Sequence, residues 1–256
     1  MKRIVVIALV AAALAAILLA YMFFIHPQYV VPRRVLRVGT SPDFPPFEYI
    51  SPGGEIVGID IDLIKALAKR LGYEVEIVSM SFDGLIPALV NNQIDVIASG
   101  LTITSERAEV VSFTIPYWDA DQAIIVARNS NFRPKGLEDL VDKIVGVGSG
   151  TTAEGLLTDF VKDTGKNIDV KSYDSYVLAV KDLVNGRLDA VVIDTPVARS
   201  FAESYDIVVS CIVETGEKYG LAVRKNDTEL LNNLNKVLEE FLKSKEWQEI
   251  INKHAG

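Results

Sequence analysis

One stretch of ten residues occurs twice. Leu89-Val90-Asn91-Asn92-Gln93-Ile94-Asp95-Val96-Ile97-Ala98 returns 94 positions later as Leu183-Val184-Asn185-Gly186-Arg187-Leu188-Asp189-Ala190-Val191-Val192. Each copy reads as the end of an amphipathic helix, a tight turn and a strand. An echo at this distance predicts two similar lobes. The first strand runs out at Ser99-Gly100-Leu101-Thr102 and the second at Ile193-Asp194-Thr195. Ligands on open α/β sheets collect beyond the carboxyl ends of strands, so the two units would face one cleft from opposite sides. The competing explanation is chance repetition of a common helix-turn-strand pattern.

The rest of the chain supports an α/β class, because short β-rich runs alternate with amphipathic helices from about residue 35 onward. Leu36 to Gly39 reads as a strand. Ile61, Ile64, Leu67, Ala68 and Leu71 recur at helical spacing, with Asp60 as the expected N-cap and Gly72 as the stop. Glu74 to Val78 alternates as a strand, Phe82 to Leu89 forms a helix capped by Ser81, and Ile94 to Ala98 is a third strand. Hydrophobic residues make up 49% of the 256, enough for a sizeable core.

Composition then removes several function classes. The net charge is −8, which argues against a nucleic-acid partner. One cysteine, Cys211, leaves no internal disulfide framework, and two distant histidines, His26 and His254, leave no His-pair metal motif. No metal and no cofactor are expected.

Ile4 to Ile25 carries no charged side chain. At ~1.5 Å per residue a helix of that length reaches ~33 Å, against a bilayer core of ~30 Å. We therefore expect a membrane helix with the chain's C-terminal part outside. Large apolar residues continue to Phe24, which favours an uncleaved anchor over a signal peptide with a small-x-small cleavage site. The expected location is the extracytoplasmic face of the membrane, or the periplasm or exterior if the segment is cleaved. Residues 26–34 complete this first region as a linker.

Four groups of residues carry possible chemistry. Thr102-Ile103-Thr104-Ser105-Glu106-Arg107 runs from a strand end into a helix start. Arg107 beside free backbone N–H groups suits a carboxylate, unless it only pairs with Glu106 or Glu109 on the surface. Gly146-Val147-Gly148-Ser149-Gly150-Thr151-Thr152 precedes another helical run and reads as an anion cradle or a plain turn. It lacks the Gly-Lys-Ser/Thr of a P-loop. Asp194 ends an apolar strand, where a buried carboxylate needs a partner such as an ammonium, or caps the helix starting at Thr195-Pro196. Phe44 and Phe82 stand at strand ends, where rings clamp a side chain or pack a lid. Together the four outline an α-amino acid.

Gly39-Thr40-Ser41-Pro42-Asp43-Phe44-Pro45-Pro46-Phe47-Glu48, Gly58-Ile59-Asp60-Ile61-Asp62-Leu63, Ile94-Asp95, Ser99 to Arg107, Gly150-Thr151-Thr152 and Asp189 to Asp194 resemble the polar amino-acid-binding proteins of ABC importers. These form family 3 of the extracytoplasmic solute-binding proteins, and the resemblance runs over Val35 to Ala255. It implies a type 2 periplasmic-binding-protein fold, two α/β lobes that close like a hinged clam, with lobe 1 at 35–119 and 219–256 and lobe 2 at 120–218. By position, Phe44 and Phe82 resemble the rings that sandwich the ligand side chain, and Arg107 is similar to the arginine gripping its carboxylate. The Gly100 carbonyl, Thr102 and Asp194 would hold the ammonium, with Thr152 assisting. Ser41, Asp43, Gly148 and Thr151 complete the ligand-binding set. Ser41 stands where many relatives that bind basic side chains carry an acid, while Gly148 and Ala153 replace larger residues, so glutamine is the first expected ligand. Asp43 and Glu48 keep arginine or lysine as the second.

The resemblance also implies a partner, an ABC transporter permease, and no catalysis. Two other functions use the same scaffold. A dehydratase-like enzyme would need a general acid and base facing the cleft, and only Asp194 and Glu48 qualify. A ligand-sensing module of a membrane receptor would suit an uncleaved anchor, although the chain shows no second membrane span or signalling domain.

Overall fold

In the computed structural model the chain divides into two compact units, residues 1–33 and 34–256. The structure describes residues 2–25 and 34–255, so the expected linker over 26–34 lies outside them except for Arg34, which is the first residue of a strand. The first unit contains one helix, α1 (Lys2–Ile25). Among the described residues no helix is long and apolar enough to cross a membrane.

The second unit opens with β1 (Arg34–Thr40) and a small antiparallel sheet of β2 (Asp43–Phe44), β3 (Glu48–Ile50) and β4 (Ile56–Val57). Helix α2 (Ile59–Leu71), β5 (Tyr73–Ser79), α3 (Phe82–Val90) and β6 (Val96–Ile97) follow. β1 pairs parallel with β5 on one side and β6 on the other. Helix α4 (Ser105–Val110) and β7 (Val111–Phe113) lead to the long β8 (Trp118–Ala127).

A second sheet then repeats the first. β9 (Ile144–Gly148), α5 (Thr152–Thr164), β10 (Asp169–Tyr173), α6 (Tyr176–Val184) and β11 (Ala190–Asp194) reproduce the β-α-β-α-β order, with β9 between β10 and β11. The echoed decapeptides are the α3-to-β6 and α6-to-β11 passages of the two sheets. Helix α7 (Thr195–Ser204), β12 (Ile207–Tyr219), β13 (Ala222–Arg224), α8 (Thr228–Phe241) and α9 (Lys245–Ala255) close the chain. The sheet orders are β5-β1-β6-β13-β7 and β10-β9-β11-β8-β12.

β8 and β12 carry the chain between the sheets and pair antiparallel from Trp118 opposite Tyr219 to Ala127 opposite Ile207. Their register breaks between Val213 and Glu217. There the Thr215 and Gly216 amides both donate to Asp121 Oδ1 at 2.8 Å, so an acid on one strand holds the bulge of the other. At the Trp118 end, Phe47 packs edge-on against both Trp118 (5.1 Å) and Tyr219 (5.0 Å). Phe47 and Tyr219 are fully buried, and this aromatic knot forms the floor beneath the strand ends.

Local chemistry explains most element bounds. In α2 the buried Ile64, Leu67 and Ala68 follow the helical period, and Gly72 ends it in the left-handed region with φ 76. The expected N-cap, Asp60, is corrected: Gly58 caps α2, and the Asp60 side chain turns inward to accept from the Gly100 amide (2.8 Å) and Tyr117 hydroxyl (2.7 Å). Gly58 has φ 136, and a Cβ there would lie 2.0 Å from the Phe47 carbonyl oxygen. Because backbone cannot give way as a side chain can, Gly58→Ala should lower unfolding stability by more than ~2 kcal/mol, read by urea denaturation. The third strand is shorter than expected, Val96–Ile97 rather than Ile94 to Ala98, although the Asp95 amide still donates to the Arg37 carbonyl (2.7 Å) and the Ala98 amide to the Gly39 carbonyl (3.1 Å).

Candidate functional site

β1, β6, β9 and β11 all point their carboxyl ends into one cleft, where they meet a cavity of about 490 Å3, mouth included. All eleven residues singled out from the sequence line it: Ser41, Asp43, Phe44, Phe82, Gly100, Thr102, Arg107, Gly148, Thr151, Thr152 and Asp194. Reasoning from sequence did not single out Asp83, Ser149, Tyr173, Asp174 or Tyr176, which also line it. No local pattern marks those five: Tyr173 ends β10, Ser149 and Asp174 follow strand ends, and Asp83 and Tyr176 stand in the first turns of α3 and α6.

Arg107 occupies the first turn of α4, whose N-cap Thr104 accepts its amide at 3.1 Å. Its guanidinium does not pair with Glu106 or Glu109; it donates to the Thr102 carbonyl (2.9 Å) and, from the opposite side of the cleft, to the Gly150 carbonyl (3.0 Å). The cation also lies 5.4 Å from the centre of the Phe82 ring. Burial pulls the Arg107 pKa down from its ordinary value, and the nearby Asp194, Glu217 and Glu106 oppose that.

Asp194 stands at the N-cap position of α7, yet its side chain makes no capping bond. It accepts instead from Gln122 Nε2 (2.9 Å) and from the Tyr219 hydroxyl. Burial, with Glu217 as second cause, pushes its pKa up to about 7. Glu217 is a centre that went unnoticed in the sequence: Thr102 and Thr152, expected to face a ligand, donate to its Oε2 at 2.9 and 2.8 Å. The alternation of β12 makes it look like one of several polar surface positions.

On the first sheet's side a relay runs from the Ser41 amide to Ser99 Oγ (2.9 Å) and from that hydroxyl to Glu48 Oε1 (3.0 Å). Glu48 is 1% exposed, and its Oε2 has no hydrogen-bond partner among the described residues. Burial and the neighbouring Asp60 raise its pKa well above the carboxylate range. Gly100 holds φ 51, and a Cβ there would stand 2.8 Å from the Phe44 ring, so glycine lets the ring cover the strand end. Phe44 lies 5.8 Å from the Tyr176 ring across the cleft. On the second sheet's side Thr151 is engaged locally, accepting the Glu154 amide and donating to the Gly148 carbonyl.

The cavity's charge is lopsided. Asp43, Asp83, Asp174 and Asp194 line it against the single guanidinium of Arg107, beside Glu48, whose carboxyl burial holds toward its neutral form. Such a site meets one carboxylate with Arg107 and leaves excess negative charge for cationic groups.

The profile of the bacterial extracellular solute-binding proteins, family 3, matches residues 36–256. The chain belongs to that family, and its two lobes are those of a periplasmic-binding-protein-like fold. It is 37% identical over 209 residues to ABC transporter arginine-binding protein 1 of Escherichia coli (strain K12), covering 79% of this chain and 83% of that one. An arginine-bound ArgBP from T. maritima superimposes with a TM-score of 0.78 at 50% identity, covering 82% and 97%. An ancestral arginine-binding protein bound to glutamine gives 0.81 at 43% identity, covering 87% and 98%.

Proposed function

We propose that this protein captures a cationic L-amino acid, arginine first, outside the cell membrane and delivers it to the permease of an ABC transporter. The observation that carries this is the excess of acidic side chains over a single guanidinium in the lining of the cavity. Arg107 receives the α-carboxylate, Asp194 with the Gly100 carbonyl and Thr102 receives the α-ammonium, and Phe44 and Phe82 flank the side chain. Ser41, Gly148, Thr151 and Thr152 shape the wall. Asp83 and Asp174 supply the negative field that a guanidinium needs.

Arginine therefore precedes glutamine, the reverse of the order drawn from single positions. A cationic side chain gains from the exposed carboxylates Asp83 and Asp174 that line the cavity, a gain a neutral amide does not have. The arginine-binding names of similar proteins point the same way.

The lobes of this reading are 35–119 with 219–256, and 120–218, joined by β8 and β12. The apolar segment ahead of them tethers the cleft to the extracytoplasmic face of the membrane. The protein turns nothing over; the importer's ATPase supplies the energy of uptake.

A thermal-shift screen of residues 34–256, a compact unit by themselves, against the twenty amino acids tests the proposal. Arginine at 100 times its dissociation constant should stabilise by ~2.7 kcal/mol, with lysine or histidine next. A larger shift with glutamine would overturn the preference for a cation, and no shift with any amino acid would overturn the function.

A further inference from the structure

α6 begins without a cap of its own. Its N-cap residue, Ser175, makes no side-chain bond to the helix, and no acidic residue stands in its first turn. The missing acceptor comes from the other side of the cleft, where Asp43 Oδ2 accepts the Tyr176 amide at 2.7 Å. Asp43 is held for this task. It sits on β2, paired opposite Tyr49 of β3, its own amide donates to the Ser41 carbonyl, and its Oδ1 accepts from Ser41 Oγ at 3.2 Å. The neighbouring Phe44 ring meets the Tyr176 ring at 5.8 Å, so one β-hairpin presents a carboxylate and a ring to one helix start.

Each Asp43 oxygen thus already accepts from a protein donor, and the shorter of the two bonds turns the carboxylate toward the start of α6. We propose that Asp43 is the latch of the closed cleft, capping α6 from the facing lobe, rather than a contact for the ligand. This rests on the reading of the cleft as a ligand site that opens and closes. When the lobes part, the carboxylate and the Tyr176 amide both return to water, so the bond between them favours only the closed form. A carboxylate at a helix N-terminus also gains from the helix dipole, which strengthens the latch without touching the ligand.

The consequence is a ligand-independent effect on release. In the full-length protein, Asp43→Ala removes the acceptor and should speed dissociation of arginine about tenfold. It should speed dissociation of citrulline, a neutral isostere, by the same factor. Asp43→Asn keeps an oxygen able to cap and should release both within about threefold of the parent. Stopped-flow dissociation gives these rates, and small-angle scattering of the arginine-saturated proteins should show a larger mean radius for Asp43→Ala than for the parent. If Asp43 touches the ligand's cation instead, Asp43→Asn will behave like Asp43→Ala and only arginine will be affected; that result, or unchanged rates and radius in Asp43→Ala, overturns the latch. Failure of the parent to bind any amino acid is a failure of the function proposed above, and is seen before either variant is made.

Discussion

Replacing Arg107 by alanine is expected to weaken arginine binding by about two to four decades. The guanidinium is the one cationic group lining the cavity, fixed by the Thr102 carbonyl and by the ring of Phe82. Without it a ligand carboxylate would enter a cleft that holds Asp194 and Glu48 and find no counter-charge. Leaving one partner of a buried pair unmatched costs ~3–5 kcal/mol, which is the loss stated. Arg107→Lys should recover only part of it, because an ammonium cannot keep the Thr102 and Gly150 carbonyls and a carboxylate in one planar fork. Calorimetric titration with arginine checks both variants. An Arg107→Ala protein that binds within threefold of the parent would remove Arg107 from the site and the amino-acid reading with it.

Much of this architecture is legible in the chain because the repeated unit obeys strong local rules. In both copies the helix presents an apolar face and the strand that follows is apolar, up to Asp194 at the end of the second, so the two decapeptides mark the same place in each sheet. What escapes is whatever one segment requires of another. Asp60 has the residue type and position of an N-cap, but the carbonyl of Phe47 crosses the start of α2 so closely that only Gly58 fits there, and the acid is drawn inward by Gly100 and Tyr117. Asp194 does stand at a cap position, and only the fold shows that Gln122 and Tyr219 claim its oxygens.

The site divides in the same way. Residues at strand ends could be picked out one by one, since a sheet of this class gathers ligands there. The preference for a cation could not, because it is a sum. Asp83 comes from the start of α3 and Asp174 from the turn before α6, and only the meeting of the two lobes adds their charges together. Ser41 and Gly148, read alone, suggest a neutral ligand. Glu217 was hidden for a related reason: its partners Thr102, Gln122 and Thr152 lie 65 or more positions away in the chain.

Arginine affinity should fall steeply as pH drops below about 7. Burial holds the Asp194 carboxyl protonated up to that point, with Glu217 adding to the effect, although Tyr219, Gln122 and Arg107 oppose it. An α-ammonium selects the ionised form, so below about pH 7 each binding event must expel a proton, and affinity declines by up to about tenfold per pH unit. Stability without added amino acid runs the other way. The folded pKa of Asp194 lies above its unfolded value of 3.8, so its contribution is complete below about pH 4 and is lost as pH rises through about 7. Asp60, raised to about 6 by burial, adds to that slope in the same direction. One group thus makes the protein alone less stable, and the complex tighter, over the same interval. Titration calorimetry at pH 5.5 and 8 in buffers of unlike ionisation enthalpy counts the protons directly. Asp194→Asn should flatten the affinity profile and cost roughly a hundredfold at pH 8, where the parent carboxylate is ionised. A parent whose affinity is the same at both pH values, with no proton released, would take the ammonium away from Asp194.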